Sequence, residues 1–347
     1  MIPTQGYAAL SPNAMLTPFS FERRELGPED VLIEILYCGV CHSDIHQVRD
    51  EWGGAQFPMV PGHEIVGRVV RTGAEAKKHN PGDIVGVGCM VDSCQNCEMC
   101  YRRMEQYCES SCSFTYNSTE QDKKTPTQGG YAKQIVTKEH FVLKIPSNLP
   151  LSGVAPLLCA GITTYSPLRH WNVRFGQKVA VVGLGGLGHM AVKLACAMGA
   201  EVTVFSNTAN KAEDARRMGA RHFVISKDED AIRARLGYFD LVLDTVSAQH
   251  DLNPFLDMLR VDGTMVLVGA PPNSTPLPAF SLINGRKNLT GSLIGGIMET
   301  QEMLDFCGKH GITADVEVIP ANKINEAYER TLRSDVRYRF VIDCSTI

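Results

Sequence analysis

Lys178-Val-Ala-Val-Val182-Gly183-Leu184-Gly185-Gly186-Leu187-Gly188 is the stretch that decides the fold. Its first five residues read as a strand buried on both faces, and they run straight into a glycine-rich turn. Residues 189–198 continue with helical periodicity, and residues 201–205 read as a second strand. A G-x-G-x-x-G match alone is a weak signal. Between a strand and a helix it becomes a dinucleotide fingerprint, because the glycines let the backbone approach a pyrophosphate and the helix N-terminus supplies donors. The competing reading is a glycine-rich turn in some other α/β unit.

Working outward, residues 222–225, 241–243, 265–268 and 289–293 read as further strands. Residues 210–218, 231–236 and 252–259 carry helical spacing between them. Six strands with intervening helices predict an α/β, doubly wound parallel sheet that binds its ligand at the carboxyl ends of the strands. In the NAD form of this fold an acid about twenty residues after the glycines holds the ribose hydroxyls. Here the second strand ends Phe205-Ser206-Asn207-Thr208-Ala209-Asn210-Lys211, without a carboxylate. Ser206, Thr208 and Lys211 suit a 2′-phosphate, which an acid would repel, so NADP is expected over NAD. The plainer alternative makes Lys211 a solvated residue at a helix start.

Upstream the text is β-rich. Val31, Ile33 and Ile35 alternate with Leu32, Glu34 and Leu36, which predicts a strand with one buried face. Residues 65–70 and 84–87 read as strands, bounded by Gly62, Gly73 and Pro81-Gly82. Residues 110–130 lack periodicity and read as a solvated loop, and residues 131–146 return to strand-like text. Residues 154–165 are apolar and read as a buried helix joining two domains. The tail offers a helix near residues 302–307 and a strand at residues 340–343, and is expected to return to the first domain. No internal repeat is visible.

Three short motifs carry metal-binding chemistry. Cys94, Cys97, Cys100 and Cys108 stand at spacings of x2, x2 and x7, which suits four thiolates closing a tetrahedron around zinc. A disulfide pair or four unrelated thiols is the alternative. Cys38-Gly-Val-Cys41-His42-Ser43-Asp44-Ile-His46 and Pro61-Gly62-His63-Glu64 are each weak alone, since a lone histidine beside a glycine is more often a satisfied core residue.

The 347 residues, 44% hydrophobic and 21% charged, describe an ordinary two-domain protein. A net charge of −4 speaks against a nucleic-acid partner. Residues 1–13 show no signal-peptide pattern, and glycines, His189 and Lys193 interrupt the most apolar run, so no membrane span is expected. Twelve cysteines without a secretion signal point to a reducing, cytoplasmic compartment. Asn117-Ser118-Thr119 is then only a polar loop.

Taken together, Gly62-His63-Glu64-x-x-Gly67, the four-cysteine lobe, the G-L-G-G-L-G turn and Cys41-His42-Ser43-Asp44 resemble the zinc-containing medium-chain alcohol dehydrogenases. Residues 37–44, 158–167 and 335–343 resemble its cinnamyl alcohol dehydrogenase branch, which includes broad-range bacterial NADP-dependent aldehyde reductases. The resemblance covers nearly the whole chain. It implies a GroES-like catalytic domain at residues 1–155 and 295–347, with a structural zinc lobe near 89–112. A Rossmann cofactor domain is implied at residues 156–294.

By the same resemblance two zinc ions are expected. Cys41, His63 and Cys159 would hold the catalytic one with Glu64 as acidic neighbour, and Cys94, Cys97, Cys100 and Cys108 the structural one. Asp44 would orient a ligand, and Ser43 and His46 would relay a proton. NADP(H) would meet Thr163, Gly183, Leu184, Gly185, Gly186, Leu187, Gly188, Ser206, Asn207, Thr208, Lys211, Thr245, Gly269, Ser292, Leu293 and Ile294, with His42 and Arg339 near the pyrophosphate. Cys38, Cys89, Cys112, Cys196, Cys307 and Cys344 match no ligand position. The implied partners are a small aldehyde or alcohol and a second copy of the chain, with neither nucleic acid nor membrane. A zinc-thiolate redox sensor or nucleic-acid-binding module is the alternative, and it needs one zinc rather than two.

Overall fold

In the computed structural model, which describes residues 1–271 and 273–347, the chain forms two units. One comprises Met1–Ile162 with Gly295–Ile347, the other Thr163–Ile294.

In the second unit, the apolar run before the glycines is strand β1 (Lys178–Val182), followed by β2 (Glu201–Ser206), β3 (His222–Ile225), β4 (Phe239–Asp244), β5 (Leu259–Leu267) and β6 (Asn288–Gly291). Among the described residues they form one parallel sheet in the order β3-β2-β1-β4-β5-β6. This is the doubly wound order, in which the chain reverses direction beside β1 and leaves a crevice at the strand ends. Val179 to Val182 are buried because neighbours cover both faces and both edges of β1. The crossover after the glycines is the helix Gly186–Ala197, and Phe205, Phe239, Phe255 and Leu256 fill the core on one side.

The first unit is built on a seven-stranded sheet among the described residues. Its central strand, Asp30–Gly39, pairs antiparallel with Ile65–Thr72, Gln134–Lys138 and Arg339–Asp343. These neighbours bury Leu32 as well as Val31, Ile33 and Ile35, so the expected single buried face is corrected to burial on both faces at this end. The tail rejoins this unit, with Val316–Pro320 parallel to Arg339–Asp343. The expected helix at residues 302–307 is the longer Ile297–His310, closed by Gly311 at φ 64°. A second amphipathic helix, Ile324–Leu332, follows later in the tail with Ile324, Ala327, Tyr328 and Thr331 buried.

Two loop readings also change. Residues 154–165 are not one helix: the segment Leu151–Leu158, which ends in the 3-10 turn Ala155–Leu158, is bent by 58° from Ala160–His170. Pro156 lies in that turn, and Cys159 stands at the break with φ −129° and ψ −68°, its N–H donating to the Pro156 carbonyl at 3.3 Å. Residues 110–130 are not simply a solvated loop either. Ser113, Thr115, Tyr116 and Thr127 are buried, and Ser113–Phe114 pairs with Met90–Asp92. No single helix among the described residues is long and apolar enough to cross a membrane.

Candidate active site

The end of the central strand runs into the helix His42–Val48, with Cys41 as its extended N-cap. Asp44 stands at the third helical position and accepts the Cys41 N–H at 2.9 Å, as an acidic residue in a first turn should. The same carboxylate is fully buried and takes three more donors: the Gly62 N–H at 3.1 Å, His63 Nδ1 at 3.0 Å and the Tyr131 hydroxyl at 3.1 Å. Gly62 and His63 share Oδ1, while Cys41 and Tyr131 share Oδ2. All four bonds are at ordinary hydrogen-bond length, so this buried charge is compensated.

Glycine is required at position 62. Its φ is +104°, and a Cβ there would lie 2.6 Å from the Tyr131 ring. The turn it allows sends His63 toward Asp44. With Nδ1 bonded to that carboxylate, Nε2 is the ring nitrogen left for a metal.

Cys41, His63, Glu64 and Cys159 bring one ligand atom each to within 4.8 Å of one another. The sequence holds them 118 residues apart at the extremes (Cys41 to Cys159), and the fold collects them by placing the bent turn at Cys159 against the end of the central strand. Two thiols, an imidazole and a carboxylate form a donor set suited to zinc. Glu64 gives a second sign of fit. It is fully buried, its Oε1 accepts from Arg339 Nη2 at 2.5 Å, and its Oε2 has no hydrogen-bond partner among the described residues.

Electrostatics agree with a centre built to hold positive charge. Hydrogen bonding from Cys159 lowers the Cys41 thiol well below its ordinary value, against the effect of burial and with help from His63. Cys159 is raised in return, so Cys41 is the first of the pair to ionise. Burial pushes the Glu64 carboxyl up to about 7 although Arg339 opposes it. Burial, then the Asp44 charge, raises the Tyr116 and Tyr131 hydroxyls well above 10, so both remain donors.

The other expected residues of this unit take the following places. Ser43 Oγ lies 3.6 Å from Cys41 Sγ. His46 is half-buried, bonded to the Glu51 carboxylate and stacked on Trp52 with centroids 5.0 Å apart. Ser43 and His46 do share one short helix, but no hydrogen bond joins them among the described residues. His42 is exposed beside them. Arg339 is 5% exposed and donates to the Val40 carbonyl from Nε at 3.1 Å and Nη2 at 2.8 Å, besides holding Glu64.

Cys94, Cys97, Cys100 and Cys108 form a second cluster with sulfurs within 4.8 Å of one another. Cys94 N–H donates to Cys108 Sγ at 3.5 Å, and Cys97 caps the short helix Glu98–Tyr101. The backbone N–H of Asn96 and the neighbouring thiols lower Cys94 to about 6, while burial pushes Cys100 up to about 12. Four thiolates fill a zinc coordination sphere and leave no open position. The lobe is tied to the tail by Glu105, whose Oε2 accepts the Ile297 N–H at 3.1 Å and whose Oε1 lies 3.0 Å from His140 Nε2.

In the other unit the glycines follow the fingerprint's logic. Gly183 has φ +89°, a Cβ on Gly188 would come 2.0 Å from the Gly183 carbonyl, and a Cβ on Gly185 would meet nothing. The turn is therefore tight where helix meets strand and open where a phosphate would lie, with Leu184 buried beneath it and Gly186 and Leu187 beginning the helix. Thr245 bonds the Val182 carbonyl at 2.8 Å, and Gly269 N–H donates to the Asp244 carbonyl at 3.2 Å, which brings the ends of β1, β4 and β5 together. Beyond β2 no carboxylate stands among residues 206–211. Ser206 is buried, Asn207 and Thr208 are exposed, and Lys211 Nζ donates to the Leu184 carbonyl at 2.8 Å, beside the turn. These residues suit an added phosphate better than a bare ribose. Thr163 is buried on the helix Ala160–His170. Ser292 and Leu293 follow β6, and Ile294 has φ +38°, a strained value for a β-branched residue and one that clusters at ligand sites.

Tyr116, Tyr131 and Tyr328 escape sequence reasoning. Tyr116 stacks on His63 at 5.8 Å, Tyr131 bonds Asp44, and the Tyr328 hydroxyl lies 3.5 Å from that of Tyr131. The Gly129-Gly130 pair before Tyr131 was the one available cue, since two adjacent glycines signal a close backbone approach.

Comparison with known proteins now places this geometry. Residues 27–147 match the alcohol dehydrogenase GroES-like domain, and residues 186–309 match the zinc-binding dehydrogenase domain. The chain is 54% identical to NADP-dependent alcohol dehydrogenase C of Mycobacterium bovis over the full length of both. It belongs to the zinc-containing medium-chain alcohol dehydrogenases. Aldehyde reductase YahK of Escherichia coli is 56% identical over 99% of this chain and 97% of its own. Among solved structures, a cinnamyl alcohol dehydrogenase of Sorghum bicolor superposes with a TM-score of 0.96 at 45% identity, covering 99% of this chain and 98% of that one. The expected branch of the alcohol dehydrogenase family is thus the right one.

Proposed function

We propose that this chain is a zinc-dependent oxidoreductase that interconverts primary alcohols and aldehydes with NADP(H) and acts mainly as an aldehyde reductase. The carrying observation is the convergence of Cys41, His63 and Cys159 within 4.8 Å, in a family member whose β2 ends without an acid. The names of the mycobacterial and Escherichia coli relatives support both the cofactor and the direction. Met1–Ile162 with Gly295–Ile347 is the catalytic part and Thr163–Ile294 the cofactor part, so the boundary expected at 155/156 moves to 162/163 and Cys159 falls with Cys41 and His63.

Cys41, His63 and Cys159 would hold the catalytic zinc, which would supply a Lewis acid for the substrate oxygen. The remaining work belongs to the chain. Asp44 fixes His63 in the Nδ1–H tautomer and points Nε2 into the site. A bound nicotinamide would supply or accept the hydride, which leaves a proton to be moved between the substrate oxygen and solvent. Ser43, beside Cys41, is placed to exchange that proton, and His46 with Glu51 is the half-buried end of the relay. Glu64, a carboxyl raised to about 7 by burial and clamped on one oxygen by Arg339, would stand as the metal's acidic neighbour through its other oxygen.

The turn Gly183 to Gly188 cradles the pyrophosphate, with His42 and Arg339 as further cations. Ser206, Asn207, Thr208 and Lys211 receive the 2′-phosphate, and Thr163, Thr245, Gly269, Ser292, Leu293 and Ile294 complete the cofactor site. Cys94, Cys97, Cys100 and Cys108 hold a structural zinc. The protein works in the cytoplasm as a homodimer; twelve free cysteines support the first, and the exposed edge strand Asn288–Gly291 supports the second. Zinc-loaded protein is expected to oxidise NADPH faster than NADH with a panel of aliphatic and aromatic aldehydes. No turnover with any of them would sink the proposal.

A further inference from the structure

Asp44 has four lone-pair positions and four donors, and only three of those donors belong to the segments that carry ligands. The fourth is Tyr131, 87 residues away in sequence. We propose that Tyr131, backed by Tyr328, is a positioning residue of the catalytic metal centre: it locks the Asp44 carboxylate and, through it, the orientation of His63. This deepens the reading of the centre given above and rests on it.

Tyr131 is held on every side. Its ring is fully buried against Gly62, its N–H donates to the Pro61 carbonyl at 2.9 Å, and its carbonyl accepts from Tyr7 at 2.8 Å. Gly129 and Gly130 bond the Val60 and Gly62 carbonyls, so the whole strand of text before Tyr131 lies along the turn that carries His63. Arg23, buried and without a carboxylate partner in its hydrogen bonds, donates to the carbonyls of Gln128, Gly129 and Gln134 and pins that strand from behind.

The direction of each proton follows. Asp44 can only accept, so Tyr131 must donate to it, and Tyr131 can then accept from Tyr328 at 3.5 Å. The chain Tyr328, Tyr131, Asp44, His63 runs one way and leaves His63 with its proton on Nδ1. A tyrosine ring whose backbone is bonded at both ends cannot follow a rotating carboxylate. Without its hydroxyl, Oδ2 loses one donor while the Cys41 N–H stays, and the carboxylate is held less firmly against swinging about that contact.

Tyr131→Phe removes the hydroxyl and keeps the ring. The test uses full-length protein with both zincs bound and follows zinc transfer to a chromogenic chelator, where the two centres release in separate phases. Cys159→Ala assigns the catalytic phase. Tyr131→Phe is expected to speed that phase roughly fivefold to tenfold while leaving the four-cysteine phase alone. Cobalt substituted into the catalytic site should show a shifted d–d band, which loss of general stability would not produce. Tyr328→Phe, which leaves Asp44 untouched, is expected to move both readouts the same way by less, and it carries the test if Tyr131→Phe does not fold. Parental release and an unshifted cobalt band in both variants overturn the inference alone. Parent protein that binds one zinc, unaffected by Cys159→Ala, overturns the underlying reading as well.

Discussion

Asp44→Asn isolates the charge at the heart of the centre with almost no change of shape. Asparagine offers one acceptor oxygen and one amide nitrogen, whereas the carboxylate uses both oxygens twice. The two backbone donors sit on different oxygens, Gly62 on Oδ1 and Cys41 on Oδ2. Whichever way the amide turns, one of these N–H groups faces a nitrogen. The better orientation keeps oxygen toward Gly62 and His63; Tyr131 then rotates to accept from the amide, and the Cys41 N–H is left unpaired. An unpaired buried N–H costs about 1–3 kcal/mol, and exchanging a charged for a neutral acceptor on His63 adds about 1 kcal/mol. A loss of about 2–4 kcal/mol follows from these two steps. Zinc at the catalytic site should weaken roughly 10- to 100-fold, because His63 loses its charged orienting partner. Urea unfolding of zinc-loaded parent and variant measures the first quantity, and competition with a chelator of known affinity measures the second. A variant that unfolds with the parent and holds two zincs as tightly would refute the reasoning, since it would mean that the four bonds to Asp44 are not worth having.

Cys159→Ala should remove one zinc per chain, read by elemental analysis, and nearly all aldehyde reduction, while circular dichroism stays that of the parent. Cys97→Ser should instead lower the melting temperature and destabilise the lobe first, with activity falling only as folded protein is lost; a stable Cys97→Ser protein without turnover would contradict the closed-site reading. Ser206→Asp places a carboxylate at the end of β2 and should move the NADPH-to-NADH ratio of kcat/KM toward NADH by roughly 10-fold or more, through repulsion of the 2′-phosphate. Glu105→Gln should cost roughly 1–2 kcal/mol at neutral pH, because it weakens the bond to the Ile297 N–H at the start of Ile297–His310. The Glu105 carboxyl is held below its ordinary 4.5: burial, the largest single effect, raises it, and the bonds from His140, from its own backbone and from the Ile297 N–H together outweigh burial. Its contribution is therefore complete above that ordinary value and fades as pH falls through the lowered one, so parent and Glu105→Gln should converge in stability in acid.

The cofactor unit was legible because its signal is local. β1, the glycine turn and the following helix are contiguous, and the period of the apolar residues changes where the structure changes. The four-cysteine lobe was legible for the same reason, with its cysteines inside fifteen residues. Boundaries failed where tertiary partners override local text. Leu32 is buried by strands 30–40 and more than 100 residues away, and the apolar run around Cys159 breaks at a proline-containing 3-10 turn that no periodicity marks.

The catalytic trio is a different case. Nothing in composition or spacing separates Cys159 from an ordinary buried thiol, and family resemblance alone brought it to Cys41 and His63. The fold adds what resemblance did not supply, which is the reason these three hold their positions. Cys41 is fixed by a helix cap, His63 by a turn that only glycine permits, and Cys159 by a break between two helical segments. Asp44 joins the first two through both of its oxygens, and Tyr131 closes the last of its bonds from 87 residues away. A hydroxyl at such separation leaves no periodic trace, because one hydrogen bond imposes no pattern on its neighbours. The residues that do chemistry can be read from motifs, whereas those that hold them in place become visible only once the chain has closed around them.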